Sequence, residues 1–130
     1  VAQEVDFASI GSNDLCQYVF AADRTDPEVA PYAHPLSPAM LRLLDFVISA
    51  FRTAGKPLSI CGELGGDPIS ATALFLLGLR KFSMTAPSLP LVKRALLTLD
   101  ADQIAQMRQR LLGLTTEAEV RAEMARLLKL

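Results

Sequence analysis

The chain has 130 residues, 51% of them hydrophobic, a mean hydropathy of +0.30 and a net charge of −1. This length suits one domain with its own core, while the evenly mixed charges exclude a nucleic-acid-binding stripe and the short, charge-broken apolar runs exclude membrane insertion. A chain this apolar is predicted to cover part of its surface with another subunit or another part of the same polypeptide.

Two cysteines, Cys16 and Cys61, lie far apart and lack the spacing of metal ligands. Because the sequence shows no signal peptide, they favour a reducing cytoplasmic location, although two cysteines also permit a disulfide. The chain starts at Val1 and enters a strand-like segment almost at once. We therefore expect it to be a fragment of a longer protein.

Three segments share one layout, in which a short apolar run leads into a polar turn and then a helical pattern. The runs are residues 5–11 (VDFASIG), 57–61 (PLSIC) and 81–84 (KFSM). The helical patterns that follow them are LCQYVFAA, PISATALFLLGL and SLPLVKRALL. Near-continuous apolar strands that alternate with helices are typical of a parallel sheet covered on both faces. The predicted fold class is therefore α/β.

Helix start signals mark two further boundaries. Ser37-Pro38 and Asp67-Pro68 each place a capping residue before a proline at the first helical position. The first of these helices is predicted to stop at Gly55. Its apolar stripe consists of Leu41, Leu44, Val47, Ile48 and Phe51.

Two amphipathic helices are predicted after the last strand. Capping-box spacing marks their starts, at Asp100 with Gln103 and at Thr116 with Glu119. Their apolar stripes are Ile104, Met107, Leu111 and Val120, Met124, Leu127. No linker divides the chain, so we predict one domain, with the βα units in residues 1–98 and a helical tail in residues 99–130.

A parallel sheet of three strands leaves its edges open. Each open edge presents unpaired N–H and C=O groups, and a barrel of the (β/α)8 type closes only with eight strands. We therefore expect the chain to form a homo-oligomer through a sheet edge or an uncovered apolar face.

Polar residues collect after the predicted strands, where reactive groups lie in parallel α/β proteins. Asp14 is a candidate carboxylate ligand for Mg²⁺ and Asn13 a candidate amide for a substrate oxygen. The alternative is that both cap the following helix. Because helix N-termini point to the same edge, we expect Asp14 and Cys61 to face one pocket for a small anion.

Cys61 ends the second predicted strand and is a candidate general acid for a carbon centre. The alternative is a buried thiol that packs as a hydrophobe, which is our interpretation of Cys16. The planar guanidinium of Arg24 could grip a phosphate or carboxylate, or it could compensate the charge at a helix C-terminus. His34 lies in a proline-rich stretch, and we interpret it as a loop residue.

Four segments in order (IGSNDLCQYVFAADR, HPLSPAMLRLL, GKPLSICGELGGDP and KFSMTAPSLPLVKR) resemble the phosphoenolpyruvate-binding barrel of enzyme I of the sugar phosphotransferase system. They also resemble its nitrogen-related and multiphosphoryl paralogues. The resemblance covers about residues 4–95 and implies the C-terminal portion of a TIM-type (β/α)8 barrel, about three βα units. Ser12, Cys16 and Gly65 replace Thr, Thr and Ala of the family, and all three changes are between small residues.

The resemblance implies that the phosphoryl group of phosphoenolpyruvate is transferred to a histidine on another domain, with release of pyruvate. It implies that Asn13 contacts the substrate, that Asp14 ligates Mg²⁺ and touches the phosphoryl group, and that Arg24 binds phosphate. Cys61 would be the proton donor. A phosphocarrier protein would be engaged through the histidine-bearing domain, and the barrel would form a homodimer. The family's site also uses arginines and a glutamate from earlier strands, so the isolated chain is expected to be inactive.

Two alternatives stay open. Pyruvate phosphate dikinase and phosphoenolpyruvate synthase share the GxNDxxQ and CGE elements, so the chain could be a piece of an enzyme that couples ATP to phosphoenolpyruvate. The second alternative is a non-catalytic dimerisation or regulatory module, which the apolar surplus supports.

Overall fold

A computed structural model describes residues 1–129 of the chain. The strands are β1 (Ala8–Gly11), β2 (Leu58–Cys61) and β3 (Lys81–Phe82). The α-helices are α1 (Ser12–Phe20), α2 (Pro38–Thr53), α3 (Glu63–Gly66), α4 (Pro68–Leu77), α5 (Ser88–Leu97), α6 (Ala101–Leu112) and α7 (Glu117–Leu128). A short 3-10 helix covers Ala30–Tyr32.

The strands form one parallel sheet in the order β1-β2-β3, which confirms the α/β fold class. The register pairs Gly11 with Cys61, so β1 and β2 end level with each other. Strands β1 and β3 are shorter than predicted. The chain joins the sheet only at Ala8 in β1, and it leaves the sheet after Phe82 in β3 on its way to α5. Pairing still extends past β3 through the N–H of Ser83, which donates to the carbonyl of Ile60 at 2.8 Å.

Side-chain caps begin four of the helices, as the sequence signals predicted. Oγ of Ser37 accepts a hydrogen bond of 3.2 Å from the N–H three residues later, and Oδ2 of Asp67 accepts one of 2.9 Å in the same way. Complete capping boxes at Asp100 and Thr116 begin α6 and α7. These bonds satisfy N–H groups that have no acceptor inside their own helix, so they fix where each helix begins.

Helix α4 lies at the centre of the core. It is apolar on nearly every side, and a helix of this kind has to be buried. It packs against α2, α5, α6 and α7, so the tail helices share one hydrophobic core with the βα units. Its buried apolar side chains are Ala71, Ala73, Leu74, Leu76 and Leu77.

The predicted apolar stripes face this core, with Val47 and Ile104 only partly buried. A stripe at helical spacing buries one face of each helix and leaves the other to water. The buried members are Leu41, Leu44, Ile48, Phe51, Met107, Leu111, Val120, Met124 and Leu127. Among residues 1–129, no helix has both the length and the apolar character needed to cross a membrane.

Two groups of ion pairs fasten the tail helices. Arg108 on α6 donates two hydrogen bonds to the Asp45 carboxylate on α2, at 2.8 and 2.9 Å. Glu123 on α7 accepts hydrogen bonds from Arg126 and Arg110, and the bond from Arg126 is the main reason why the pKa of Glu123 is lowered. The two-bond geometry of Arg108 holds α6 against α2 in a defined orientation.

Candidate active site

The carboxyl edge of the sheet opens into a cleft of about 590 Å³. It is lined by side chains that follow all three strands, including Asn13, Cys61, Glu63, Ser83 and Ser88. Helices α1 and α5 begin at this edge, and the free N–H groups of a helix N-terminus favour negative charge nearby. The sequence prediction that polar residues gather at this edge is confirmed for Asn13 and Cys61.

Asn13 does not cap α1. The N-cap is Gly11, which has no side chain to cap with, and Asn13 lies within the first turn of the helix. Its Oδ1 instead accepts hydrogen bonds from the backbone N–H of Glu63 at 3.2 Å and from Oγ of Ser12 at 3.4 Å. The capping alternative is therefore wrong for this residue, and the side chain links the turns that follow β1 and β2.

Gly62 makes this link possible. Its φ of +95° lies in a region that L side chains rarely adopt. A Cβ at this position would collide with Oγ of Ser12 and lie 3.0 Å from Oδ1 of Asn13. Only glycine lets the backbone approach the Asn13 amide closely enough for the N–H of Glu63 to bind it.

Cys61 is partly buried at the end of β2 and lines the cleft. Its Sγ lies 3.5 Å from the carbonyl oxygen of Ile10, to which the thiol donates a weak hydrogen bond. Cys16, by contrast, is 7% exposed, and burial is the main reason that the pKa of its thiol is raised. Both thiols are free, so the disulfide permitted by the sequence is absent from the described residues. Of the two, Cys61 is the one placed to reach a ligand in the cleft.

Asp14 is exposed and lines a separate depression of about 270 Å³ together with Gln17 and Asp23. Asp14 and Cys61 thus border different hollows of this chain, and the expectation that they face one pocket stays a prediction. Successive residues of α1 project about 100° apart, and both Ser12 and Asn13 turn toward the segment after β2. Asp14 and Cys61 do follow neighbouring strands at the same edge of the sheet.

The carboxylate of Asp14 is the kind of hard oxygen ligand that Mg²⁺ prefers. Among residues 1–129 no group of three or more His, Cys, Asp or Glu side chains could hold a metal ion. Mg²⁺ is commonly held by one or two protein carboxylates together with substrate phosphate oxygens and water. A single carboxylate at Asp14 fits that pattern, with further oxygens supplied from outside this chain.

Arg24 lies in a loop, not at a helix end. Helix α1 ends at Phe20, and Ala21 adopts the left-handed conformation with φ 49°. The alternative in which Arg24 compensates the charge at a helix C-terminus is therefore wrong. Arg24 lines a cavity of about 360 Å³ that Asn13 also borders, so both residues face the space beside α1.

His34 lies in a loop, as predicted from the sequence. Its ring packs perpendicular to the Phe20 ring with centroids 6.0 Å apart, and its Nδ1 lies 3.7 Å from a carboxylate oxygen of Glu117. These contacts attach the loop that carries Arg24 to helix α7.

No role was predicted for Gln17 from the sequence, although it is the last residue of the GxNDxxQ element. Its Oε1 accepts a 2.8 Å hydrogen bond from the backbone N–H of Arg24, and its Nε2 lies 3.5 Å from Oδ1 of Asp14. For its contact with Asp14 the signal was spacing, since residues three apart on a helix are neighbours on its surface. The contact with Arg24 had no such signal, because a helix-capping turn creates it.

A parallel sheet with helices between its strands, and with polar side chains at its carboxyl edge, defines the class of α/β proteins that bind small ligands at that edge. Within this class the match is specific. Residues 1–101 match the family model described as "PEP-utilising enzyme, PEP-binding domain". The chain belongs to this family.

Curated relatives agree with the family match. The chain is 45% identical, over 92% of its length, to phosphoenolpyruvate-protein phosphotransferase of Geobacillus stearothermophilus, and 41% identical to that of Bacillus subtilis (strain 168). It is 40% identical to multiphosphoryl transfer protein 1 of Escherichia coli (strain K12). The chain spans about a fifth of the length of the two phosphotransferases, at 21%, and 14% of the multiphosphoryl transfer protein.

Proposed function

We propose that the protein containing this chain transfers the phosphoryl group of phosphoenolpyruvate to a histidine on another domain and releases pyruvate. In this step the bond between phosphorus and the enol oxygen breaks and a bond between phosphorus and an imidazole nitrogen forms. The enolate that leaves takes one proton at its methylene carbon. The observation that carries the proposal is the position of Asn13 and Cys61 on one cleft at the carboxyl edge of the sheet.

Asn13 and Arg24 are the proposed substrate-binding groups of this chain. Because Oδ1 of Asn13 is occupied by the N–H of Glu63, its NH₂ group is left to donate to a substrate oxygen. Arg24 supplies a planar cation for phosphate oxygens. A loose phosphoryl-transfer transition state spreads negative charge over those oxygens, so a nearby guanidinium lowers the barrier.

Asp14 is the proposed Mg²⁺ ligand and lies one residue from Asn13 on α1. The ion would neutralise charge on the phosphoryl oxygens and hold them in place. Cys61 is the proposed proton donor to the methylene carbon, which gives pyruvate and a thiolate that regains its proton from water. The partial exposure of Cys61 supports this role, because a proton donor has to reach both ligand and solvent.

The isolated chain is proposed to be inactive, since a three-stranded sheet with one candidate metal ligand supplies only part of such a site. The whole protein is proposed to act in the cytoplasm as a homo-oligomer and to pass its phosphate to a phosphocarrier protein. Exposed aromatic side chains support self-association. The aromatic residues with the largest exposed fractions are Tyr18 at 85%, Phe7 and Phe46 at 72% and Tyr32 at 67%.

The same exposed side chains favour the second candidate, a non-catalytic dimerisation or regulatory module. Calorimetry separates the two candidates. Phosphoenolpyruvate is titrated, with and without Mg²⁺, into the whole protein and, for comparison, into this chain. We expect binding to the whole protein only. An absence of binding to the folded whole protein would instead favour the module.

The proton-donor role is tested with Cys61→Ser in the whole protein. Serine keeps the size of the side chain but is a far weaker acid, so turnover should fall by about 100-fold or more while phosphoenolpyruvate binding changes little. Cys16→Ser is the matched control for removing a thiol outside the cleft. Equal losses of turnover and binding in Cys61→Ser would point to a packing role.

A further inference from the structure

Gln17 lies between two neighbouring hollows beside α1. It lines both the cavity that contains Arg24 and the depression that contains Asp14. Its side chain contacts both residues, accepting from the N–H of Arg24 at 2.8 Å and lying 3.5 Å from Oδ1 of Asp14. A single amide group therefore stands between the proposed phosphate-binding residue and the proposed metal ligand.

The orientation of the Gln17 amide follows from these contacts. Its oxygen is the only amide atom that can accept the Arg24 N–H, so the NH₂ end has to face the other way. That end faces the Asp14 carboxylate, which can only accept when it is ionised. The long 3.5 Å distance makes this second contact weak, and the contact to Arg24 is the dominant one.

The backbone of Gln17 takes part in the same turn. Its carbonyl accepts a 3.1 Å hydrogen bond from the N–H of Ala22, after Ala21 has reversed the chain in the left-handed conformation. The backbone and the side chain of Gln17 thus hold both ends of the segment from 22 to 24. Among residues 1–129 this side-chain bond is the hydrogen bond that holds the Arg24 backbone, so it fixes where that residue leaves the turn.

We propose that Gln17 is a positioning residue that sets the place of Arg24, and with it the phosphate-binding geometry of the site. This inference rests on the proposed function for its kinetic consequences, but not for its structural ones. Misplacing a binding group by about 1 Å is enough to lower the rate about 100-fold. A single hydrogen bond to a loop backbone is therefore able to matter for substrate binding.

The structural test is hydrogen exchange of the segment from 21 to 25 in the whole protein. In Gln17→Met, which has a similar length but cannot accept the bond, exchange should be faster by about 10-fold. In Gln17→Glu, which keeps the accepting oxygen, exchange should stay near that of the unchanged protein. Helix α2 is the internal control and should exchange at the same rate in all three. Unchanged exchange in Gln17→Met would overturn the proposal.

The kinetic test is a double-mutant cycle with Arg24→Ala. Gln17→Met alone should raise KM for phosphoenolpyruvate by about 10-fold and change kcat less. In the Arg24→Ala background it should add less than about 2-fold, because Gln17 acts through Arg24. Full additivity would overturn the positioning role. A whole protein without any phosphoryl transfer would sink the proposed function, while the exchange test of Gln17 would still decide this inference.

Discussion

The backbone N–H of Glu63 donates a 3.2 Å hydrogen bond to Oδ1 of Asn13, a side chain that lies 50 residues earlier in the chain. This bond connects the turn after β2 with the first turn of α1. It brings Asn13 and Cys61 to one cleft and orients the Asn13 amide, so that its NH₂ group faces away from the Glu63 N–H.

Asn13→Asp keeps the accepting oxygen of this side chain and removes its NH₂ group, so it tests the two groups separately. The carboxylate still accepts from the N–H of Glu63 but cannot donate to a substrate oxygen, and it repels a phosphate. We expect KM for phosphoenolpyruvate in the whole protein to rise by about 10- to 100-fold. Stability should stay within about 0.5 kcal/mol, measured by urea unfolding. A normal KM would show that the amide does not bind substrate.

Gly62→Ala places a Cβ where Ser12 and Asn13 already are, at a φ that alanine strongly disfavours. The free energy of unfolding should fall by about 1–3 kcal/mol, as measured by urea denaturation. Gly113→Ala is the matched control, since Gly113 has φ −85° and its nearest contact to an added Cβ is 3.4 Å. Equal effects of the two substitutions would argue against strain at Gly62.

Asp45→Ala removes the carboxylate that holds Arg108 on α6 against α2. Because the Asp45 side chain is only 16% exposed and accepts two charged hydrogen bonds, we expect a loss of about 1–3 kcal/mol in the free energy of unfolding. Asp6→Ala is the control, because the Asp6 side chain is 99% exposed in its pair with Lys56 and should contribute under about 0.5 kcal/mol. A loss at Asp6 as large as that at Asp45 would contradict this interpretation.

The stability contributed by Glu123 should depend on pH. Hydrogen bonding to Arg126, together with the charge of Arg110, holds the pKa of Glu123 below its ordinary value of 4.5. A carboxylate with a lowered folded-state pKa stabilises the fold above the ordinary value and loses that effect as pH falls through the folded pKa. Glu123→Gln should therefore be less stable than the unchanged protein at pH 7, with the difference shrinking as the pH falls below the ordinary value of 4.5. Urea unfolding at several pH values measures this, and a constant difference would contradict it.

The two cysteines should react at different rates with a thiol reagent. Cys16 is buried, and burial raises the pKa of its thiol, so little thiolate is available at neutral pH. Cys61 lies on an open cleft. In the folded protein, iodoacetamide should modify Cys61 at least about 10-fold faster, read by peptide mass spectrometry. In denaturant the two rates should converge, and equal rates in the folded state would contradict the assigned burial.

The sequence alone determined the local structure and the order of the elements. Capping signals at Ser37, Asp67, Asp100 and Thr116 predicted helix starts that the structure confirms, because a capping bond joins residues only three apart. Apolar runs predicted the parallel strands in the same way, since their pattern is read along the chain. Four motifs in order along the chain also indicated the family, which the match over residues 1–101 confirms.

Only the tertiary structure decided which of the candidate residues meet. The hydrogen bond from Glu63 to Asn13 depends on the register of the sheet, and the position of Arg24 depends on the left-handed turn at Ala21. The hollow that Asp14 lines depends on which way each residue of α1 projects. These are contacts between distant segments, and their geometry is set by packing that no local pattern encodes. The sequence therefore names the reactive groups, while the fold decides which cavity each one faces.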